Sequence, residues 1–190
     1  QRQRFISMFI DEAKLAVSLN HPNIVQVYEF GKVGDDYYLA MEHIEGMDLA
    51  RLLGRMRAQG LGMGLGESIY ITLELCKGLD YAHRKTDQYG QPINLVHRDI
   101  SPHNVLISNE GVVKIVDFGL STDFRVAPSV SDQQVVGSVA YMAPEQAASK
   151  AVGPPADWYS VGCMLYEALT GLVPFRGAPL EVLMKKQTDE

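Results

Sequence analysis

The stretch "NLVHRDISPHN", residues 94–104, sets His97, Arg98 and Asp99 side by side and closes on Asn104. A second acidic centre follows in "VDFG", where Asp117 ends a run of β-type residues and precedes Phe118 and Gly119. A carboxylate at a strand end, beside a glycine that frees the backbone, suits Mg²⁺, which takes hard oxygen ligands and keeps waters and phosphate oxygens. The side-chain carbonyl of Asn104 is an oxygen of the same kind. Asp99, on the same loop, could accept the proton of an attacking hydroxyl. Singly, each is weak, because an aspartate near a strand end is ordinarily a cap or turn residue.

Positioning these groups needs a scaffold, and the hydrophobic periods outline one. Phe5, Phe9, Ala13, Ala16 and Leu19 recur at helical spacing until Pro22 stops them. Residues 23–46 read as two strands, with Gly31 to Asp36 as the turn. "MDLARLLGRMRAQ" predicts a short helix, and "GLGMGLG", Gly60 to Gly66, a flexible linker. A second helix over 67–84 should bury a stripe of Ile69, Leu73, Cys76, Leu79 and Ala82. A hairpin is expected around Asn109-Glu110-Gly111, a long polar loop over 120–140, and an apolar helix over 156–170 ended by Gly171 and Pro174. Strands cluster early and helices late, which implies a small strand-bearing lobe on a larger helical one, with the ligand site in the crevice between.

Bulk composition narrows the function. The 190 residues are 46% hydrophobic and 21% charged, in the globular range. A net charge of −6 argues against a nucleic-acid partner, which wants a basic face. Two cysteines, Cys76 and Cys163, are too few for a disulfide framework, so a reducing, cytoplasmic setting is expected. No signal peptide and no apolar run of membrane-spanning length is visible.

The order and spacing of His97-Arg98-Asp99 with Asn104, then Asp117-Phe118-Gly119, then Ala143-Pro144-Glu145 resemble the signature set of eukaryotic-type (Hanks-type) protein kinases, over roughly Glu12 to Phe175. The resemblance implies an α+β, protein-kinase-like two-lobe fold: 1–45 a partial small lobe and hinge, 46–190 the large lobe, incomplete at its C-terminal end. It implies a signal-transducing phosphotransferase that uses ATP and Mg²⁺ on a protein substrate carrying Ser or Thr. It makes Asp99 the catalytic base and Asn104 and Asp117 the metal ligands. Glu12 becomes the helix glutamate that pairs with the phosphate-binding lysine. Met41 becomes the gatekeeper, Glu42 and Ile44 the hinge groups that meet adenine, Asp48 the ribose neighbour, and Leu106 the floor under the base. His97 and Phe118 would stack in the column that aligns the lobes, and Asp157 would tie down the catalytic loop.

Several positions depart from that pattern. The family's Ser/Thr members usually carry a lysine clamp two residues after the base, where this chain has Ser101, so some transition-state stabilisation is missing or supplied elsewhere. Pro102 keeps the Ser/Thr-type frame, Ser138 stands at the usual threonine, and "HRDISPHN" has a bacterial flavour. "RKTDQYGQPINL" is longer than usual and is expected to be a surface insertion. The glycines of 60–66 do not fit G-x-G-x-x-G, and Lys114 is not the small-lobe lysine. With no glycine-rich loop before Glu12 and few residues after Phe175, the chain reads as the middle of a kinase domain, inactive by itself. A pseudokinase or docking module, and a kinase-like small-molecule phosphotransferase, are the alternatives; intact Asp99, Asn104 and Asp117 disfavour the first and the long segment before Ala143-Pro144-Glu145 the second.

Overall fold

The computed structural model describes residues 13–34, 36–118, 139–148 and 150–188. Helix α1 covers 13–18, with Ala13, Ala16 and Leu19 buried as its period requires. Phe5, Phe9, Glu12, Ser138 and nearly all of the 120–140 segment lie outside the described residues. Strands β1 (Val27–Val33) and β2 (Asp36–Met41) form an antiparallel hairpin. Its turn is tighter than the sequence suggests. Gly31, Lys32, Val33 and Asp36 all pair in the ladder, and Gly34, at φ +60°, makes the reversal.

A second antiparallel sheet runs β3 (Gly46–Asp48), β4 (Val105–Ser108), β5 (Val113–Ile115), in that order. The β4–β5 hairpin turns at Gly111, whose φ of +85° a side chain would strain. Asp48 caps helix α2 (Leu49–Ala58), its Oδ1 accepting from Arg51 N at 2.8 Å. Helix α3 (Leu65–His83) begins inside the expected linker, so Leu65 and Gly66 are helical. After α4 (Pro144–Ala147), α5 (Pro154–Thr170) ends at Gly171 in the left-handed conformation, as its composition predicts. Helix α6 (Pro179–Thr188) completes the chain. Residues 84–92 are mostly exposed and close on a Thr86–Pro92 bridge, a surface excursion as expected.

The buried face of α3 differs from the predicted stripe. Ile69 and Leu73 are 46% and 54% exposed, while Ser68, Ile71, Leu75, Gly78, Leu79 and Ala82 are buried. The helix carries apolar residues on several sides, and what selects the inner face is fit against β5 and α5. Gly78 lets the helix close on Asn23 and Ile115, where an added Cβ would stand 3.0 Å from Ile115 Cδ1. Leu75 and Leu79, 1% and 0% exposed, each contribute on the order of 2 kcal/mol by leaving water. One core cluster joins Leu19 and Ile24 to Leu79, Ile115, Phe118 and Val161, so the early helix and the helical part share it. Asn23, 2% exposed, fixes the junction by donating to Glu74 Oε2 (2.7 Å) and Val113 O (3.0 Å). The arrangement is a mixed α+β, two-lobe protein-kinase-like fold.

Candidate active site

The loop 95–101 carries Leu95, Val96, His97, Ile100 and Ser101 inward. With no ladder to satisfy it, its backbone is held by a side chain from α5. Asp157, 1% exposed, accepts from His97 N (2.9 Å, Oδ2), Arg98 N (2.8 Å, Oδ1) and the His83 ring at Nε2 (2.8 Å, Oδ2). That hold fixes Arg98 at φ +68°, an uncommon state for a residue with a side chain. The His97 ring, fully buried, reaches Val116 O through Nε2 at 2.8 Å and accepts from Asp99 N at Nδ1, 3.3 Å away. A carbonyl can only accept, so the proton sits on Nε2. The ring meets Phe118 edge-on, centroids 4.7 Å apart, the expected stacked pair.

Asp99 and Asn104 are one unit. Asn104 Nδ2 donates to the Asp99 carbonyl (2.7 Å) and to its Oδ2 (3.2 Å), which leaves Asn104 Oδ1 facing away as an oxygen donor. Pro102 opens the 3-10 turn 102–104, closed by Asn104 N donating to Ser101 O at 3.0 Å. Val116 N in turn donates to Asn104 O at 3.0 Å, which brings Asp117 beside the loop. Asp117 has φ +61° and is exposed, though the protein on its inner side takes part of the water from its carboxyl. That desolvation pushes its pKa up; His97 pulls it down and the like charge of Asp99 raises it further. Two carboxylates close enough to feel each other, next to an amide oxygen, are a donor set that fits a divalent cation. Ser101 is 1% exposed, recessed behind the loop.

An apolar cleft beside this site is lined by Ala16, Leu19, Val25, Val27, Leu39, Met41, Ile115 and Phe118, with Asp117 at its edge. Met41 thus shares a wall with the acidic centre. Residues 42–45 connect the two sheets without regular structure. The Glu42 side chain turns away from the cleft: its Oε1 accepts from Gln26 N (2.7 Å) and Lys114 Nζ (2.6 Å), and its N–H donates to Gln26 O (2.9 Å). Ile44 lies half-buried in that connection, and Asp48 and Leu106 face each other across β3 and β4. Glu12 is outside the described residues.

Three contributors escaped sequence reasoning. His83 looks like the charged end of a helix, and Lys114 was set aside as not being the small-lobe lysine, yet it pairs with Glu42 and braces the connection. Gln146 donates to Arg98 O at 2.8 Å and so ties α4 to the loop that carries Asp99.

A cleft between a strand-bearing and a helical part, with a paired Asp–Asn loop opposite a second aspartate, defines the protein-kinase class of phosphotransferase fold. The family model "Protein kinase domain" matches residues 1–190, and the chain belongs to that family. It is 42% identical over 174 residues to "Tyrosine-protein kinase MasK" of Myxococcus xanthus, covering 90% of this chain and 26% of that protein. It is 38% identical over 173 residues to "Serine/threonine-protein kinase PrkC" of Bacillus subtilis, covering 91% and 25%. It is 35% identical over 187 residues to "Serine/threonine-protein kinase PknB" of Mycobacterium leprae, covering 94% and 28%. The chain thus spans about a quarter of the length of these curated relatives. Among the described residues no helix is long and apolar enough to cross a membrane.

Proposed function

We propose that this chain is the catalytic part of a bacterial serine/threonine protein kinase that moves the ATP γ-phosphoryl group to a protein hydroxyl in the cytoplasm. The observation that carries it is the Asp99–Asn104 pair, bonded at 2.7 and 3.2 Å and set by Val116 against Asp117. Asp99 orients the acceptor hydroxyl and takes its proton. Asn104 Oδ1 and the Asp117 carboxylate hold Mg²⁺, which when bound neutralises charge on the phosphoryl group. The apolar cleft takes adenine under Met41, the backbone of Glu42 and Ile44 meets its edge, Leu106 packs against its face, and Asp48 reaches the ribose. Glu12 pairs with the phosphate-binding lysine. Ser101 supplies no charge and, being recessed, leaves phosphate neutralisation to the metal site. Residues 1–45 serve as the small lobe and hinge, 46–190 as the large lobe.

Tyrosine specificity is the second reading, because one relative at 42% identity is named a tyrosine-protein kinase. Pro102, buried and opening the 3-10 turn, favours the Ser/Thr frame. The test is transfer from γ-labelled ATP and Mg²⁺ in the full-length protein, followed by phosphoamino-acid analysis. Phosphoserine and phosphothreonine are expected, and reduced about 10²-fold or more in Asp99→Asn. Phosphotyrosine alone would overturn the specificity; label that persists at a near wild-type rate in Asp99→Asn would overturn the site.

A further inference from the structure

Lys186, on α6, is 3% exposed, although it sits beside a surface lysine near the end of an amphipathic helix. Its Nζ donates to Ala140 O (2.8 Å) and Met142 O (2.6 Å) and lies 5.0 and 5.7 Å from the ring centroids of Tyr159 and Phe175. Among the described residues no carboxylate pairs with it. A buried cation held by carbonyls and ring faces, with the Cys163 thiol near it and no carboxylate among the described residues, is an expensive way to fill space, and an apolar side chain of similar length would pack there at least as well. The arrangement therefore points to what the ammonium does to the residues it holds.

Those residues have little regular structure. Residues 140–143 lie between a turn and α4, and three successive carbonyls of the segment accept from buried side chains: Ala140 O and Met142 O from Lys186, Tyr141 O from Ser160 Oγ at 2.8 Å. A segment without a ladder needs such partners for its buried backbone groups. Val182 of α6 packs on Val139 and Met142 in the same place. From here the connection to the chemistry is short. Ala143 N donates to Gln146 Oε1 (3.1 Å), and Gln146 Nε2 donates to the carbonyl of Arg98, the residue before the base. The 139–147 segment is thus bonded directly to the loop that carries Asp99, so what sets the segment also bears on the approach to Asp99.

We infer that Lys186 is a positioning residue for the protein substrate: it sets the 139–143 segment as an acceptor-binding surface and makes substrate engagement depend on α6. The inference rests on the proposed phosphotransferase reading for its consequence, though the clamp itself does not. The experiment compares full-length wild type with Lys186→Met, which keeps the length and removes the donors, Lys186→Arg, which keeps a cation with donors, and Ser160→Ala. Two readouts are taken: KM for ATP and for the best acceptor in a Ser/Thr peptide array, and hydrogen exchange over 139–148.

Lys186→Met is expected to raise the acceptor KM about tenfold or more with little change in the KM for ATP, since small misplacements near reacting groups have large effects. Lys186→Arg should fall between wild type and Lys186→Met, and exchange should rise over 139–148 while α3 stays protected. Unchanged exchange over 139–148 in Lys186→Met overturns the clamp, whatever the activity. Loosened exchange with an unchanged acceptor KM overturns the positioning role. Loosened exchange in a protein whose wild type transfers no phosphate overturns the phosphotransferase reading and, with it, the substrate role, and leaves the clamp standing. Should Lys186→Met fail to fold, Ser160→Ala carries the decision: it removes the middle donor with one atom, and acceptor KM and exchange both at wild-type values overturn the proposal.

Discussion

Replacing Asp157 with alanine should destabilise the protein more than any substitution at Asp99, Asn104 or Asp117. The carboxylate is 1% exposed and satisfies two backbone N–H groups, of His97 and Arg98, and one ring nitrogen, of His83. Alanine leaves all three donors without a partner in a dry site. Each orphaned donor costs about 1–3 kcal/mol, and breaking a buried charged network typically costs about 3–5 kcal/mol in all. Domains of this kind have roughly 5–15 kcal/mol to lose, and a chain of this length loses about 2–4 °C of Tm per kcal/mol. The expected fall is therefore about 10 °C. Asp157→Asn keeps the shape but turns an NH2 toward a donor, and should fall about half as far. His83→Ala removes one of the three bonds and leaves both backbone N–H groups satisfied, so it should cost less than Asp157→Ala.

The assay is thermal and urea unfolding of the wild type, the three single variants and the Asp157→Asn/His83→Ala pair. Residues sharing one network should show a coupling of about 0.5–3 kcal/mol. His83 Nδ1 is already buried without a partner, so the ring's value lies in its bond to Asp157 and its edge contact with Trp158 at 5.0 Å. A Tm loss under about 2 °C for Asp157→Ala would refute the hold on the loop. A His83→Ala loss as large as that of Asp157→Ala, with no coupling, would show that ring packing carries the stability instead.

Asp99→Asn keeps the shape but removes the base, and should lower phosphoryl transfer by about 10²-fold or more at nearly unchanged KM for ATP; near-normal turnover in steady-state kinetics would remove Asp99 from that role. Gly46→Ala should part β3 from β4 and lower the urea midpoint, because the new Cβ would collide with Ile107 O and lie 2.8 Å from Ser108 Cα. Burial pushes the Tyr141 hydroxyl far above its ordinary pKa, helped by its bond to Glu167, and pushes Tyr159 to about 12. A raised folded pKa on an acid means stability fully present below the ordinary tyrosine value and lost as pH rises through the folded values. Absorbance titration should therefore show these two of the nine tyrosines ionising late and together with unfolding; all nine titrating before circular dichroism changes would contradict it.

The parts of the fold that sequence reveals are those where one residue type has one physical use. Gly171 ends α5 and Gly111 turns the β4–β5 hairpin because few other residues take a positive φ. The motif residues Asp99, Asn104, Asp117 and Asp157 announce themselves by type and spacing. The inner face of α3 does not, because Ser68 and Gly78 are buried there and neither adds to a hydrophobic count. Ser68 is satisfied by the Gly64 carbonyl at 2.9 Å, and Gly78 is there because nothing larger fits against Asn23 and Ile115. Lys186 is hidden for the same reason: beside Lys185, which pairs with Glu181 at 2.7 Å on the surface, it reads as one more solvated residue.

Strain explains why the hidden residues gather where they do. The described residues hold three non-glycine positive φ values, and two of them, Arg98 at +68° and Asp117 at +61°, flank the base and carry the second carboxylate. Each such backbone state costs on the order of 1–3 kcal/mol and persists only where its surroundings over-determine it. Around Arg98 the surroundings are two bonds from different helices, Asp157 to its N–H and Gln146 to its carbonyl. Before Asp117 they are the two bonds of Val116, its N–H to Asn104 O and its carbonyl to the His97 ring. A motif can name the side chains that perform the chemistry. The directions in which they point depend on partners 12 to 60 positions away in the chain, Val116 with Asn104 at the near end and His97 with Asp157 at the far one. That distance, rather than any weakness in the motifs, is why Asp99, Asn104 and Asp117 stand out by type and spacing, why Asp157 is reached only through the family resemblance, and why His83 and Gln146 are not reached at all.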